Sequence, residues 1–322
     1  MSTLEQKIKF RFIAFISLLM VTVAVYFLLP DHSISKIDKN LFKPEAIEKI
    51  DKVVIQRGEE QLVLQYINGR WMLNDNMVAD RQMIQVLFAS IDQALPKRKA
   101  AASQQDSLLR QFNTDASRVE LYEENVLRKA YLVLGDDNNR ISWFKDPNKS
   151  DIYQIIIPGY SAYVAFIYKQ PLHEWKDRLV FDFNWRNFAS LSMEYSGNES
   201  AGFEVSLQDD YFAISQLPAT DTTALNDFLD HVSMLEASKW VVNSEFAYSD
   251  SLVQTTATAK ISIADIANRS RQLELWYPAM PNNFVLARLN QADMLWLERR
   301  DAIELLKRRT DFLPGKRAEN SR

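Results

Sequence analysis

Between Phe12 and Leu29 the chain carries no charged side chain, and a basic stub with Lys7, Lys9 and Arg11 precedes that run. A segment that lacks any polar stripe has no face to offer to water. As a helix it reaches about 27 Å at roughly 1.5 Å per residue, close to the hydrocarbon thickness of a bilayer. The sequence therefore predicts a transmembrane anchor over residues 12–29, behind a cytoplasmic stub of residues 1–11. Positive charge beside a first hydrophobic segment favours retention in the cytoplasm. Residues 31–322 of this single-pass protein are thereby placed outside, in a periplasm or equivalent. The competing reading is a cleaved signal peptide, whose cleavage site needs small residues. Val25-Tyr26-Phe27-Leu28-Leu29-Pro30 is bulky throughout, so the uncleaved anchor is the reading we adopt.

Composition narrows the rest. The chain has no Cys, which rules out disulfides, iron–sulfur clusters and thiolate zinc sites. The outer part is large enough to build a core without such staples. The whole chain has 38 Lys and Arg against 42 Asp and Glu. Removing Lys7, Lys9, Arg11 and Glu5 leaves 35 against 41 for the outer part. That acidic balance argues against a general nucleic-acid binder.

The outer part reads as one pattern written twice. The first copy runs Val53-Val54-Ile55, then Gln61–Tyr66, then Trp71-Met72-Leu73, then a helical stretch over Asp80–Ile91. The second runs Leu191-Ser192-Met193, then Gly202–Leu207, then Tyr211–Ile214, then a helical stretch over Asp221–Val232. Trp71 matches Phe212, Leu73 matches Ile214 and Asp80 matches Asp221, all at one offset. Leu62, Leu64 and Tyr66 alternate with their neighbours, as do Phe203, Val205 and Leu207, which is the period of a strand. Asn68-Gly69 between two such runs is a hairpin turn signal. Asp80 and Asp221 stand where a short acceptor caps the free amides of a helix. Ile84, Leu87, Phe88 and Ile91 then recur at helical spacing, as do Leu225, Phe228, Leu229 and Val232.

The second half of each copy is strand-rich as well. Val119, Leu121, Tyr131 and Val133 answer Ile261, Ile263, Leu273 and Leu275. Runs at Ile141–Phe144 and Ile152–Ile157 answer Phe284–Leu286 and Met294–Leu297, and short helices are predicted around Tyr160–Tyr168 and Asp301–Arg309. Phe42 precedes the first copy much as Phe181 precedes the second. The expectation is an α+β fold of two tandem repeats, each made of antiparallel strands plus helix. The first repeat is placed at 30–169, a connector at 170–187, the second repeat at 188–312 and a basic tail at 313–322.

An anchor followed by tandem copies of strand, strand, G-x-W-x-L and helix resembles a bacterial group, domain-of-unknown-function family 4340. The resemblance rests on Gly69, Trp71, Leu73, Ala79 and Asp80, on a helix read as extending to Leu95, and on the connector Trp175-Lys176-Asp177-Arg178. It covers most of residues 40–310. The family's Gly-Leu turn before the middle strands is replaced here by Phe112-Asn113-Thr114-Asp115. Members are often encoded near ABC exporters of the gliding-motility type, so the resemblance implies an accessory or binding role and carries no catalytic residues.

No motif in the sequence points to catalysis. His32, His173 and His231 have no metal-ligand spacing. The acidic pairs Glu59-Glu60, Glu123-Glu124, Asp136-Asp137 and Asp209-Asp210 all fall at predicted turns, where Asp is favoured. The seven Gly residues form no phosphate-binding loop. Ser33-Ile34-Ser35-Lys36 matches S-x-x-K without its partner motifs. The reading is therefore no enzyme, no catalytic residue, no cofactor and no metal. Two clusters are candidate partner-binding residues. Trp175, Phe181, Phe183 and Trp185 lie within eleven residues, as exposed aromatics that anchor a partner or as a plug between domains. Arg308 and Arg309 lie in a basic C-terminal stretch suited to anionic lipid or an acidic partner. Gly69, Trp71, Leu73, Asp80, Phe212, Ile214 and Asp221 form the structural motif. The expected function is a membrane-anchored interaction protein, an accessory component of an envelope or ABC-transporter complex. The expected partners are the bilayer through 12–29 and other membrane proteins, with no nucleic acid. The alternatives are a binding module for envelope glycan, lipid or peptide, and a hydrolase built on a carboxylate pair.

Overall fold

Alternating apolar side chains give this chain strands with one buried face, and such strands must pair before they are stable. A computed structural model describes residues 15–20, 37–181, 183, 186–208, 211–241, 254–277 and 283–315. It is a mixed α+β structure with two antiparallel sheets and few helices. Of the predicted anchor only residues 15–20 are described, and they are helical and exposed. The rest of 12–29 lies outside the described residues. Among the described residues no helix is long and apolar enough to cross a membrane.

The chain divides into two compact units, residues 1–61 with 87–169 and residues 62–86 with 170–322. The first unit holds β1 (Lys52–Arg57), β5 (Leu95–Lys99), β6 (Ser117–Glu123), β7 (Val126–Asp136), β8 (Ile141–Lys145) and β9 (Ile152–Ile156). They are ordered β1-β6-β7-β8-β9-β5, with Val53 opposite Leu121 and Ile55 opposite Val119. Phe42 closes one face edge-on to Tyr131, Phe144 and Tyr153, with ring centres 5.5–6.0 Å apart. On the other face Leu134, Trp143 and Ile152 are covered by Leu108 and Phe112 of a helix at Ala102–Thr114.

The second unit takes β2 (Glu60–Ile67) from Leu62 onward, then β3 (Arg70–Leu73) and β4 (Met77–Val78). Its eight-stranded sheet runs β12-β11-β10-β14-β15-β16-β17-β13. Those strands are β10 (Phe188–Tyr195), β11 (Phe203–Gln208), β12 (Tyr211–Ile214), β13 (Lys239–Trp240), β14 (Ala259–Asp265), β15 (Ser270–Trp276), β16 (Phe284–Leu289) and β17 (Asp293–Glu298). The helices are α1 (Arg81–Gln93), α2 (Ala102–Thr114), α3 (Ala165–Tyr168), α4 (Thr222–Ser233) and α5 (Arg299–Leu305). Leu225, Phe228, Leu229 and Val232 bury one stripe of α4 against the sheet's core. Each such side chain contributes about 1.5–3 kcal/mol of burial.

The order β1-β6-β7-β8-β9-β5 reappears strand for strand as β10-β14-β15-β16-β17-β13, and β3-β2 reappears as β12-β11. Three tertiary hydrogen bonds reappear with it. The Asp80 amide donates to the Trp175 carbonyl at 2.8 Å, and the Asp221 amide to the Phe312 carbonyl at 2.8 Å. Lys129, opposite Leu121, donates to the Leu41 carbonyl at 3.2 Å. Arg271, opposite Ile263, donates to the Val180 carbonyl at 3.3 Å. Arg57 on β1 donates to the Lys169 carbonyl just past α3. The Tyr195 hydroxyl on β10 donates to the Lys307 carbonyl just past α5, at 2.6 Å.

Several sequence expectations are corrected. The first helix stops at Gln93, and Leu95 opens β5 instead of ending α1. Pro96 disfavours helical backbone at the residue before it. Phe112–Thr114, read as standing in place of a turn before the middle strands, is the last turn of α2, which Asp115 ends just ahead of β6. The helix expected over Tyr160–Tyr168 shortens to Ala165–Tyr168. The one expected at Asp301–Arg309 starts earlier, at Arg299, and is followed by a separate 3-10 turn at Arg309–Phe312.

Candidate ligand-binding groove

In the second unit the segment 175–180 is held from two sides. Lys176 bridges antiparallel to Ala79, and the Asp177 amide donates to the Val78 carbonyl at 2.9 Å. On the other side Ala237 donates to the Arg178 carbonyl and Val180 donates to the Leu235 carbonyl, at 2.7 and 2.9 Å. Backbone bonded on both edges leaves little freedom, so the side chains of this strap have defined places. Lys176, Asp177 and Leu179 of the strap line a groove of about 460 Å³. Arg70, Asn76, Val78, Asp265, Arg269, Arg271, Asn290 and Asp293 line it as well. A concavity of a few hundred Å³ is the size that small ligands occupy.

The charges in the groove are organised. Lys176 Nζ lies 3.8 Å from the ring centre of Trp240 and 2.7 Å from the Asp293 carboxylate. The Trp240 indole donates to the Asp177 carbonyl at 3.2 Å. Asp265 closes the turn between β14 and β15, accepting from the Ala267 and Arg269 amides and from Arg269 Nε at 2.7–2.9 Å. The backbone N–H of Arg269, more than any other group, holds the Asp265 carboxyl below its ordinary range, with the guanidinium adding to it. Arg271 touches the Val180 carbonyl through one nitrogen.

The aromatic cluster read from the sequence separates here. Trp175 and Phe181 are each only 1 % exposed: of the two readings, exposed anchor or plug, these two side chains fit the buried one and lie in the core. Phe183 is half-buried and lines the groove beside Phe181. Trp185 lies outside the described residues. Arg308 and Arg309 do not line the groove. Arg308 is exposed and its amide donates to the Asp311 carboxylate at 2.8 Å, opening the 3-10 turn. Arg309 lines a different hollow with Tyr195 and Phe203.

The structural motif takes scaffold positions. Gly69 has φ of +84° behind Asn68 at +51°, the positive pair that a tight hairpin requires. Trp71 faces Tyr66 across the β2–β3 hairpin with ring centres 5.6 Å apart. Leu73 and Ile214 are buried. Phe212 packs edge-on to Phe188 at 5.1 Å. Asp80 accepts from the Met83 amide at 2.8 Å, and Asp221 accepts from the Thr223 and Ala224 amides. Asp209-Asp210 and His32 lie outside the described residues. His173 sits 3.6 Å from Glu174, and His231 contacts the Asp301 carbonyl at 3.2 Å. Among the described residues no group of three His, Asp or Glu is placed to hold a metal ion.

Sequence reasoning missed Arg271, Asp265, Asp293 and Trp240 as neighbours. Each is an ordinary strand-end or turn residue, and nothing local marks them as a group. No family model, no curated protein and no solved structure matches this chain.

Proposed function

We propose that this protein is a membrane-anchored extracytoplasmic interaction protein and an accessory component of an envelope complex, of the ABC-transporter kind. The observation that carries this reading is how its acidic pairs are used. Glu60 pairs with Arg57 at 2.7 Å, and Glu123 with Arg128 at 2.8 Å. Asp136 accepts from the Asn138 and Asn139 amides, and Asp137 from Tyr163 and Lys169. Among the described residues these four carboxylates are engaged by groups of the fold, Asp137 by side chains 26 and 32 positions away, which suits a scaffold, whereas a hydrolase needs two of them facing one substrate. The anchor at 12–29, with residues 1–11 cytoplasmic and 31–322 periplasmic, belongs to the same proposal. So does a tandem repeat of 30–169 and 188–312, which the shared strand order and the three paired hydrogen bonds support. The resemblance to family 4340 is consistent with that role.

The test is purification of the full-length protein from native membranes in mild detergent, beside a version lacking residues 1–29. Transporter subunits recovered with the full-length protein alone are the expected result. A protein that emerges alone in both preparations overturns the complex. The groove favours a second reading, a binding module for an envelope glycan, lipid or peptide. Direct binding to the isolated protein, without co-purifying subunits, is its signature.

A further inference from the structure

We propose that the groove of the second unit is a site for a small oxyanion, a carboxylate or phosphate group on a ligand, with Arg271 as its principal contact. This goes beyond the accessory role and does not depend on it.

Lys129 and Arg271 hold equivalent places, opposite Leu121 and Ile263 on the corresponding strands. Both donate to a backbone carbonyl, Leu41 for one and Val180 for the other. Lys129 shows that an ammonium group is sufficient for that bond. Arg271 brings a planar fork of five N–H donors, and among the described residues it spends one nitrogen on Val180 and meets no carboxylate. The remaining donors belong to a side chain that lines the groove. A guanidinium is suited to paired oxygens on carboxylate or phosphate in a way that an ammonium is not.

The groove's other charges leave this role open to Arg271. Arg70, Lys176, Arg269 and Arg271 line it against Asp177, Asp265 and Asp293, an excess of one positive charge. The acids are already engaged. Asp265 is held by Arg269 and by two turn amides. Asp293 is paired with Lys176, and Asp177 accepts from the Leu179 amide at 3.2 Å. Trp240 is buried beneath Lys176, so its ring is not open to a sugar face. The groove's accessible chemistry is cationic and hydrogen-bonding.

The full-length protein in detergent is titrated with inorganic phosphate in one arm and succinate in the other, against sodium chloride at matched ionic strength. Binding is read by calorimetry and by the thermal midpoint. One arm is expected to bind and to raise the midpoint where chloride does not, and that arm identifies the oxyanion. Arg271→Lys retains the bond to Val180, as Lys129 does to Leu41. It is expected to leave the ligand-free midpoint in place and to weaken binding about tenfold or more. Asn76→Asp places a negative charge on an exposed lining position that takes no part in that bond, and is expected to weaken binding as well. It keeps the test decisive if Arg271→Lys lowers the ligand-free midpoint. No binding in either arm, or binding undiminished in both variants, overturns the proposal.

Discussion

Asp265 shows what one carboxylate contributes to this fold. It ends β14, and two amides and a guanidinium converge on it, chiefly through the Arg269 backbone N–H that lowers its pKa below the ordinary 3.8. A carboxyl whose folded pKa is depressed adds stability that is complete above its unfolded value. That stability is lost as pH falls through the folded value. Urea midpoints of the wild type are therefore expected to fall more steeply below pH 3.8 than those of Asp265→Asn. Equal slopes would show that the turn does not depend on this charge. Asp221 is the simpler case. Its carboxylate accepts from two first-turn amides, and Asp221→Ala is expected to cost about 1 kcal/mol in denaturant unfolding. Asp80 and Asp221 were legible as caps because capping is local: acceptor and amides lie within three residues. The turn of Asp265 was not read, since Ala267, Asn268 and Arg269 carry no hairpin signature of the Asn-Gly kind.

At the scale of elements, one bond that recurs in the two sheets ties a late segment to an early strand, Lys169 to β1 and Lys307 to β10. Burial pushes the Tyr195 pKa up, so its hydroxyl stays a donor to the Lys307 carbonyl throughout the neutral and mildly alkaline range. Tyr195→Phe removes that donor and little else. It is expected to lower stability by about 1 kcal/mol, measured against wild type at neutral pH. In the first unit α3 lies so close to β7 that a Cβ at Gly135 would meet the Tyr163 hydroxyl and come within 2.9 Å of the Ala165 Cβ. Gly135→Ala is expected to force α3 outward at a cost of about 1–3 kcal/mol, while an unchanged midpoint would show that Tyr163 swings aside freely. Strand positions were readable in advance because alternation reports a buried face over a few residues. Helix α2 was not, because only Leu108 and Phe112 of its thirteen residues are buried, too narrow a stripe to stand out.

For the whole molecule, the proposed anchor predicts behaviour that fold alone does not. The full chain is expected to stay in the membrane pellet through alkaline carbonate and high salt, and a version beginning at Pro30 to appear in the supernatant. Release of the full chain by carbonate would remove the anchor from the proposal. The strap is tested by Trp175→Ala. Its backbone carbonyl still accepts the Asp80 amide, yet the loss of a buried indole is expected to cost about 3–5 kcal/mol, read as a lower thermal midpoint.

Sequence by itself determined the α+β class, the strands that repeat, the hairpin at Asn68-Gly69 and both helix caps. All of these follow from interactions between residues a few positions apart, which leave a period or a pair of letters behind. Tertiary structure alone decided that Trp175 and Phe181 lie in the core, where the sequence had left an exposed anchor and a plug side by side. It also decided that Arg271 meets Val180, 91 positions earlier, in the same groove as Lys176 and Asp293. Burial and charge pairing are properties of space, and a side chain's exposure is set by whatever distant backbone folds over it.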